Sequence, residues 1–314
     1  MSSPSPIRCL IACALISGGH GAITVTDVEF SVPATGNNGS LSGTSASSAF
    51  VDDIFLTSLT TTSNLGPART FTVANGEVVV GVEAIVRSGA QHVNAEFGDQ
   101  DTAADGNPNP FAEVGIGYPD LPVPLSVSES TDPAIQNAAI SEAVASYSLT
   151  QGVDGEGPAY TFDVLFETGV VDNDAGADGE AEFVLFERGY NSPYNLRAII
   201  GGTKENPIYS AVVVVPVSAQ TGTGIYIDTN EIGGGQELAA FAVDASDFGI
   251  AEGQAIYGLS ITSTGGGGAD ITAQFITASV EQQTSSPFVP EPSTGFLGLM
   301  GGVILISRRR RRAS

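Results

Sequence analysis

Two acidic segments carry the residue types and spacing best suited to chemistry. Asp172-x-Asp174-x3-Asp178-Gly179-Glu180 repeats the pattern of Asp99-x-Asp101-x3-Asp105-Gly106-Asn107. Each is followed by a phenylalanine and then a Gly-Tyr pair: Phe111 with Gly117-Tyr118, and Phe183 with Gly189-Tyr190. Carboxylates bunched around a glycine that allows a sharp turn suit a hard cation, since Ca2+ takes about 6–8 oxygen ligands in flexible geometry. The second segment is the better candidate for structural Ca2+, with Asp172, Asp174, Asp178 and Glu180 as its ligands. Neither segment is an EF-hand, because the fifth position is Ala103 or Gly176 and no glutamate stands at the twelfth. Solvated turns in an Asp-rich chain are the plainer alternative. The shared spacing also reads as a weak internal repeat, 73 residues apart.

Other chemistries find few residues to work with. The chain has two histidines, His20 and His92, and two cysteines, Cys9 and Cys13. His20, Cys9 and Cys13 lie in the first 22 residues, which read as a signal peptide. That leaves His92 alone in an alternating strand pattern. A lone strand histidine is more often an exposed filler than a base, which leaves Ser-His-Asp constellations nearly excluded, while Cys-His pairs, thiolate metal sites, multi-histidine sites and disulfides lack the residues they need in the body of the chain. Gly265 to Gly268 runs into Ala-Asp-Ile-Thr with no lysine and no helix, so it is not a phosphate-binding loop. Paired carboxylates for glycoside hydrolysis remain open in so acidic a chain. Yet there is no tryptophan, the commonest sugar-stacking side chain.

The elements that must hold these residues are mostly strands. Runs rich in Val, Ile, Thr, Phe and Tyr, separated by Gly, Asn and Asp, predict strands. They fall at Thr24–Val32, Arg69–Ala74, Glu77–Arg87, Gln91–Phe97, Tyr160–Glu167, Glu182–Glu187, Leu196–Ile200, Ile208–Val217, Gly224–Asp228, Leu238–Val243, Ala255–Ser263 and Ile271–Val280. Asn75-Gly76 is a two-residue hairpin signal between two of them. Ser210 to Val215 is apolar on both faces, as in a strand buried between layers. One helix is expected over Ala134–Tyr147, capped by Thr131 or Asp132 and begun by Pro133. The fold class is mainly β, a β-sandwich of jelly-roll-like kind with one short helix. Gly36 to Ser48 reads as a flexible loop, and residues 284–289 as a tether.

The ends of the chain address it. Arg8, the apolar stretch Cys9–Ile16 and the small residues Ser17, Gly18, Gly19, Gly21 and Ala22 have the order of a signal peptide, cut between Gly19 and Ile23. Leu10-Ile11-Ala12-Cys13 mimics a lipobox, but the apolar stretch before that cysteine is too short. At the other end, Pro290-Glu291-Pro292 precedes the apolar run Gly295–Ile306, and Arg308, Arg309, Arg310, Arg311 and Arg312 follow. The 13 residues from Gly295 to Ser307 reach about 20 Å as a helix, short of the roughly 20 residues of a stable span. The arginine block stays on the cytoplasmic side. A marginal span fenced in this way makes a temporary anchor, while an ordinary permanent anchor is the plainer alternative. Without the signal and tail the body keeps five basic residues, Arg69, Arg87, Arg188, Arg197 and Lys204, in a chain with 35 acidic ones. Such a surface repels nucleic acid and anionic membrane, attracts cations and aids solubility.

Pro290-Glu291-Pro292, the apolar run and the terminal arginines resemble the PEP-CTERM sorting signal of Gram-negative bacteria. That resemblance implies handling by an exosortase, a membrane-embedded cysteine transpeptidase-like enzyme, with those three residues as the recognition motif. Pro292-Ser293-Thr294-Gly295 also matches the end of an L-P-x-T-G sortase signal. There Glu291 would stand where leucine belongs, and a pocket built for an isobutyl group rejects a carboxylate. Glu129-Ser130-Thr131-Asp132-Pro133-Ala134 and Leu185-Phe186-Glu187-Arg188-Gly189-Tyr190-Asn191-Ser192 are similar to segments of exosortase-dependent surface proteins, a likeness that extends over most of Asp99–Val280 and supplies no catalytic residues. Glu187 and Arg188 read either as a buried pair or as an exposed strand terminus. The expected organisation is a signal peptide at 1–22, an acidic β-rich extracellular region at 23–283, a tether at 284–289 and a sorting signal at 290–314. The expected role is that of an exported surface or matrix protein without catalysis. Its partners would be signal peptidase, an exosortase, transiently the membrane, and extracellular polysaccharide, and not nucleic acid. The alternatives are a secreted carbohydrate-active enzyme and a Ca2+-dependent adhesion module.

Overall fold

The computed structural model describes residues 23–30, 55–62, 68–72, 81–90, 93–97, 133–145, 149, 151–155, 159–172, 181–227, 236–251, 253–264, 268–276, 280–282 and 288. Among them the chain is mainly β with one α-helix, and its antiparallel sheets curl into a half-barrel. The elements are β1 (Thr24–Phe30), β2 (Leu56–Thr62), β3 (Arg69–Thr72), β4 (Gly81–Ser88), β5 (Val93–Phe97), α1 (Pro133–Val144), β6 (Gln151–Gly155), β7 (Thr161–Asp172) and β8 (Phe183–Arg188). They continue with β9 (Tyr194–Gly202), β10 (Pro207–Tyr209), β11 (Val213–Val215), β12 (Thr221–Ile227), β13 (Gln236–Val243), β14 (Ile256–Ser263), β15 (Asp270–Ile276) and β16 (Val280–Gln282).

Two sheets enclose the main core. The larger runs β10-β9-β14-β7-β16, with β11 also on β9 and β4 also on β7; the smaller runs β12-β13-β8-β15. Period-two alternation sends Phe162, Val164 and Phe166 of β7, and Leu196 and Ala198 of β9, to one side. There they meet Phe183 and Leu185 of β8, Val243 of β13 and Ile271 of β15 in one apolar cluster. The opposite residues of β8 and β13 (Val184, Phe186, Leu238, Ala240 and Ala242) pack against Val25 of β1 and Leu56 and Leu59 of β2. These last belong to a separate three-stranded sheet, β1-β2-β3. Strand β8 is thus covered on both faces, and all six of its residues are buried. A third, small cluster on the outer face of the larger sheet joins Leu165 and Ile199 to Phe288.

Helix α1 lies along β4. The larger sheet leaves one edge of β4 without a strand, and the helix occupies it. Ala84 N–H donates to Ser141 Oγ (2.7 Å) and Val86 N–H to Asn137 Oδ1 (2.6 Å). Four helical residues rise about 6 Å and two strand residues about 6.6 Å, so the two spacings match. Pro133 opens the helix as expected; its candidate caps Thr131 and Asp132 lie outside the described residues.

Several expectations are redrawn. The predicted strand Ile208–Val217 is two short strands, β10 and β11. Between them the Ser210 hydroxyl accepts the Ala198 N–H and interrupts the ladder. The valine run is not buried between layers: β11 lies at an edge on β9, with Val212 and Val214 exposed. Strands covered on both faces are β8 and β13, and in β8 Glu187 and Arg188 hide that fact from a hydropathy reading. Among the described residues the strands flanking Asn75-Gly76 are not paired with each other: β3 pairs with β2 and β4 with β7. A turn signal is local, whereas partner choice follows where each strand buries its apolar side chains. The turn itself lies outside the described residues, as do the loop Gly36–Ser48 and His92. Strands β2 and β6 carry too few β-branched apolar residues to stand out in sequence.

Candidate functional site

Strand β7 ends at Asp172, where the second acidic segment begins, and the chain returns at Ala181 into β8. The side chains of Asp172, Glu182 and Asp244 converge there, each offering a carboxylate oxygen within 4.8 Å of the others, and all three residues are buried. Asp244 follows β13 and begins a short 3-10 turn over Ala245–Phe248. Its Oδ1 accepts Ser246 N–H at 2.6 Å, while Asp247 Oδ2 accepts Asp244 N–H at 3.3 Å. Glu182 Oε2 accepts Ala245 N–H at 2.5 Å. Glu182, at the start of β8, is thereby tied to the turn that follows β13.

Three carboxylates converge in this buried space, and their charges repel one another. Burial chiefly, and then the charges of Asp247 and Asp172, push the Asp244 carboxyl up to about 6, with the contact to Ser246 opposing. A divalent cation relieves the same repulsion. Oxygens lying about 2.3–2.6 Å from one Ca2+ are at most about 5 Å apart, so the observed spread fits a shared ion. Asp172 is therefore brought into a candidate cation site, but its companions are Glu182 and Asp244. The other expected ligands, Asp174, Asp178 and Glu180, lie outside the described residues, as does the first acidic segment at 99–107. Asp244 was legible only as the head of the Asp-x-x-Asp capping box Asp244–Asp247.

A second charged cluster is structural in character. Arg188 is buried, and its guanidinium donates to Asp154 Oδ1 of β6 (3.1 Å) and Asp270 Oδ2 of β15 (3.5 Å). Asp270 Oδ1 in turn accepts Gly155 N–H at 2.9 Å, so the two-stranded sheet β5-β6 is fastened to the smaller sheet. Burial first, and then Asp154, hold the Asp270 carboxyl above its ordinary range, with Arg188 opposing. Glu187 and Arg188 are thus both buried, but the ion pairs of Arg188 are with Asp154 and Asp270. Glu187 faces the main core, and neither of its oxygens makes a hydrogen bond of good geometry. Burial pushes it up to about 8, and the nearby backbone N–H groups of Tyr190, Asn191 and Asp270 and the Arg188 charge offset only part of that. The carboxyl is enclosed by protein on all sides.

The outer face of the larger sheet gathers three of the five body cations. Arg87 Nε donates to the buried Asp163 Oδ2 (2.6 Å), and Tyr209 OH donates to the same oxygen (2.9 Å). Lys204 pairs with Glu83 at 2.5 Å, and the Arg197 guanidinium lies over the Tyr209 ring at 5.9 Å. Elsewhere a half-open groove of about 510 Å³ runs past Ile23, Val214, Gln220 and Asp247. Among the described residues no helix is long and apolar enough to cross a membrane. The apolar run and arginine block of the C-terminus lie outside them.

Comparison with known protein families, with curated proteins and with solved structures returned no match.

Proposed function

We propose that the chain is an exported, acidic, non-catalytic surface or matrix protein, carried out by its signal peptide and held briefly at the membrane by its tail. An exosortase would then act near Pro290-Glu291-Pro292, leaving Arg308–Arg312 on the cytoplasmic side. The observation that carries this reading is the order of the tail: a rigid proline motif, an apolar run too short for a lasting span, and five arginines. The packing of two antiparallel sheets about one core supports a jelly-roll-like β-sandwich as the exported body. Its charged clusters are used in fastening strands, which suits a structural or adhesive role beside extracellular polysaccharide. The acidic surface disfavours nucleic acid as a partner.

Mass spectrometry of both ends of the protein recovered from its producing cells tests this. The expected product begins between Gly19 and Ile23 and ends near Pro290, without the arginines. A cytosolic chain with both ends intact overturns it.

A second reading, a Ca2+-dependent adhesion module, is favoured by the convergence of Asp172, Glu182 and Asp244. A bound cation would join the end of β7 to the turn after β13 and stiffen that end of the sandwich. Cell- or polymer-binding assays with and without chelator separate this from a purely structural coat. Polysaccharide cleavage lost on single carboxylate substitution would instead favour a carbohydrate-active enzyme.

A further inference from the structure

Three of the four exposed large apolar side chains among the described residues fall close together in the chain: Ile208 at 57%, Val212 at 40% and Val214 at 66%. Their segment is also uncharged. No acidic or basic residue occurs in 206–227, in a chain that carries 35 acidic and 11 basic ones. Strand β11 lies in this segment, between Pro207 and Pro216. On one side it pairs with β9, from Val213 opposite Leu196 to Val215 opposite Tyr194. On its other side no strand follows among the described residues. In an edge strand the backbone N–H and C=O groups that face away from the sheet are a template for another strand. The turn after β13 uses one such group, since Ala211 N–H donates to Phe248 O at 3.2 Å. Beyond it the groove of about 510 Å³ opens beside Val213 and Val214, so the chain's own residues leave room there. Proteins guard such edges with a lysine, an inward charge, a bulge or a covering helix. Strand β4 has the covering helix in α1; β11 has none of these, and its flanking prolines only limit its length.

We propose that β11 is the contact through which two copies of this chain pair, antiparallel about a twofold axis, so that their larger sheets join. The valine run is itself the kind of strand that such an edge accepts: β-branched, uncharged and already extended. An antiparallel edge is complementary to its own copy, and a contact that uses the same patch twice closes at two chains. Charge favours this approach over others. Two chains of net charge −24 repel, and the neutral valine edge is where they meet with least repulsion. Val214 of each copy then leaves water beside the other's edge. The paired stretch is short, which puts the contact below the roughly 1,200 Å² of a stable interface. The dimer therefore forms at high concentration and dissociates on dilution. It is independent of export and of what becomes of the tail.

Sedimentation equilibrium of the full chain tests this. A monomer–dimer equilibrium is expected, several-fold tighter at about 0.15 M salt than at about 0.01 M, because the Debye length falls from about 30 Å to about 8 Å and screens the repulsion. Association that weakens with salt would mean attraction between charges, such as the exposed Arg197 on a neighbour's carboxylates, and overturns the proposal. A chain that stays monomeric up to about 1 mM overturns it as well. Val214→Lys sets a charge on the edge and is expected to weaken the dimer about tenfold or more. The side chain is 66% exposed, so the melting temperature of dilute protein should not change. Association unchanged in this variant runs through another surface, the apolar chain ends included, and overturns the β11 contact. Amide hydrogen exchange locates it directly. Residues 212–215 are expected to exchange more slowly as the wild-type concentration rises, and protection found only elsewhere overturns the assignment. If Val214→Lys lowers the melting temperature, this wild-type result decides alone.

Discussion

Asn137 accepts the backbone N–H of Val86 through Oδ1 at 2.6 Å, one helical turn from the point where Ser141 accepts that of Ala84. The helix thus completes a sheet edge with side chains in place of a strand. An open edge is a template for pairing with another chain, and covering it is one way that proteins avoid aggregation. Asn137→Leu keeps the bulk but strands a backbone donor, so it is expected to cost about 1–3 kcal/mol. Ser141→Ala is expected to cost about as much, and the two together more than either. Urea denaturation checks the stabilities. Light scattering near the midpoint should rise in the double variant, whose β4 edge is uncovered.

Glu187 gives the fold an acid-stable bias. Its carboxyl titrates at about 8 in the folded chain against 4.5 as the ordinary value. Between those values the folded state holds a proton that the unfolded state has released, so stability falls as pH rises. The contribution is fully present below about 4.5 and lost by about 8, on the order of 3–5 kcal/mol for a group so enclosed. Glu187→Gln is expected to remove this slope and to stabilise the protein at pH 8 while changing little at pH 4.5. Melting curves of both chains across that range decide; a parallel pH dependence in the variant refutes the assignment.

Most of the sheet was legible in the sequence, because period-two patterns such as Phe162-x-Val164-x-Phe166 state which face is buried. Partner choice was not. Nothing local in Arg69–Thr72 or Gly81–Ser88 says that they enter different sheets. Where polar residues are buried the sequence left the choice open: Glu187 and Arg188 could be a buried pair or an exposed strand terminus, and they end β8 buried, with Arg188 paired to Asp154 and Asp270 instead of to Glu187. The candidate cation site was half legible for a related reason. Asp172 lies in an obvious acidic run, whereas Asp244 comes from a turn 72 residues later that only the folded chain brings near.

Asp172, Glu182 and Asp244 predict a pH-dependent response to Ca2+. Without a cation, the raised Asp244 carboxyl makes stability fall as pH rises from 3.8 to about 6. A bound Ca2+ competes with that proton, so stabilisation by Ca2+ is expected to be slight below pH 4 and to grow through pH 6. At a concentration about 100 times its Kd the ion adds about 2.7 kcal/mol. Calorimetry with Ca2+ and with EDTA at pH 4 and pH 7 measures this, and Asp244→Asn should flatten the difference. Identical transitions at pH 7 remove the site.

Arg188 predicts how the β5-β6 sheet is held. Replacing it by alanine leaves Asp154 and Asp270 facing each other without a counter-charge, and breaking a buried pair from one side costs about 3–5 kcal/mol. Burial keeps one of those carboxyls protonated more readily, so the loss should be smaller at pH 4 than at pH 7. Arg188→Ala combined with Asp154→Asn and Asp270→Asn removes the repulsion and is expected to recover part of the stability. Recovery has a structural limit, because Asp270 also accepts Gly155 N–H and an asparagine there keeps that bond only through its carbonyl oxygen. Hydrogen exchange of β6 amides follows the local effect: Arg188→Ala should speed it before the strands of the main core respond. Equal acceleration in both places would mean that Arg188 holds the whole fold and not this one junction.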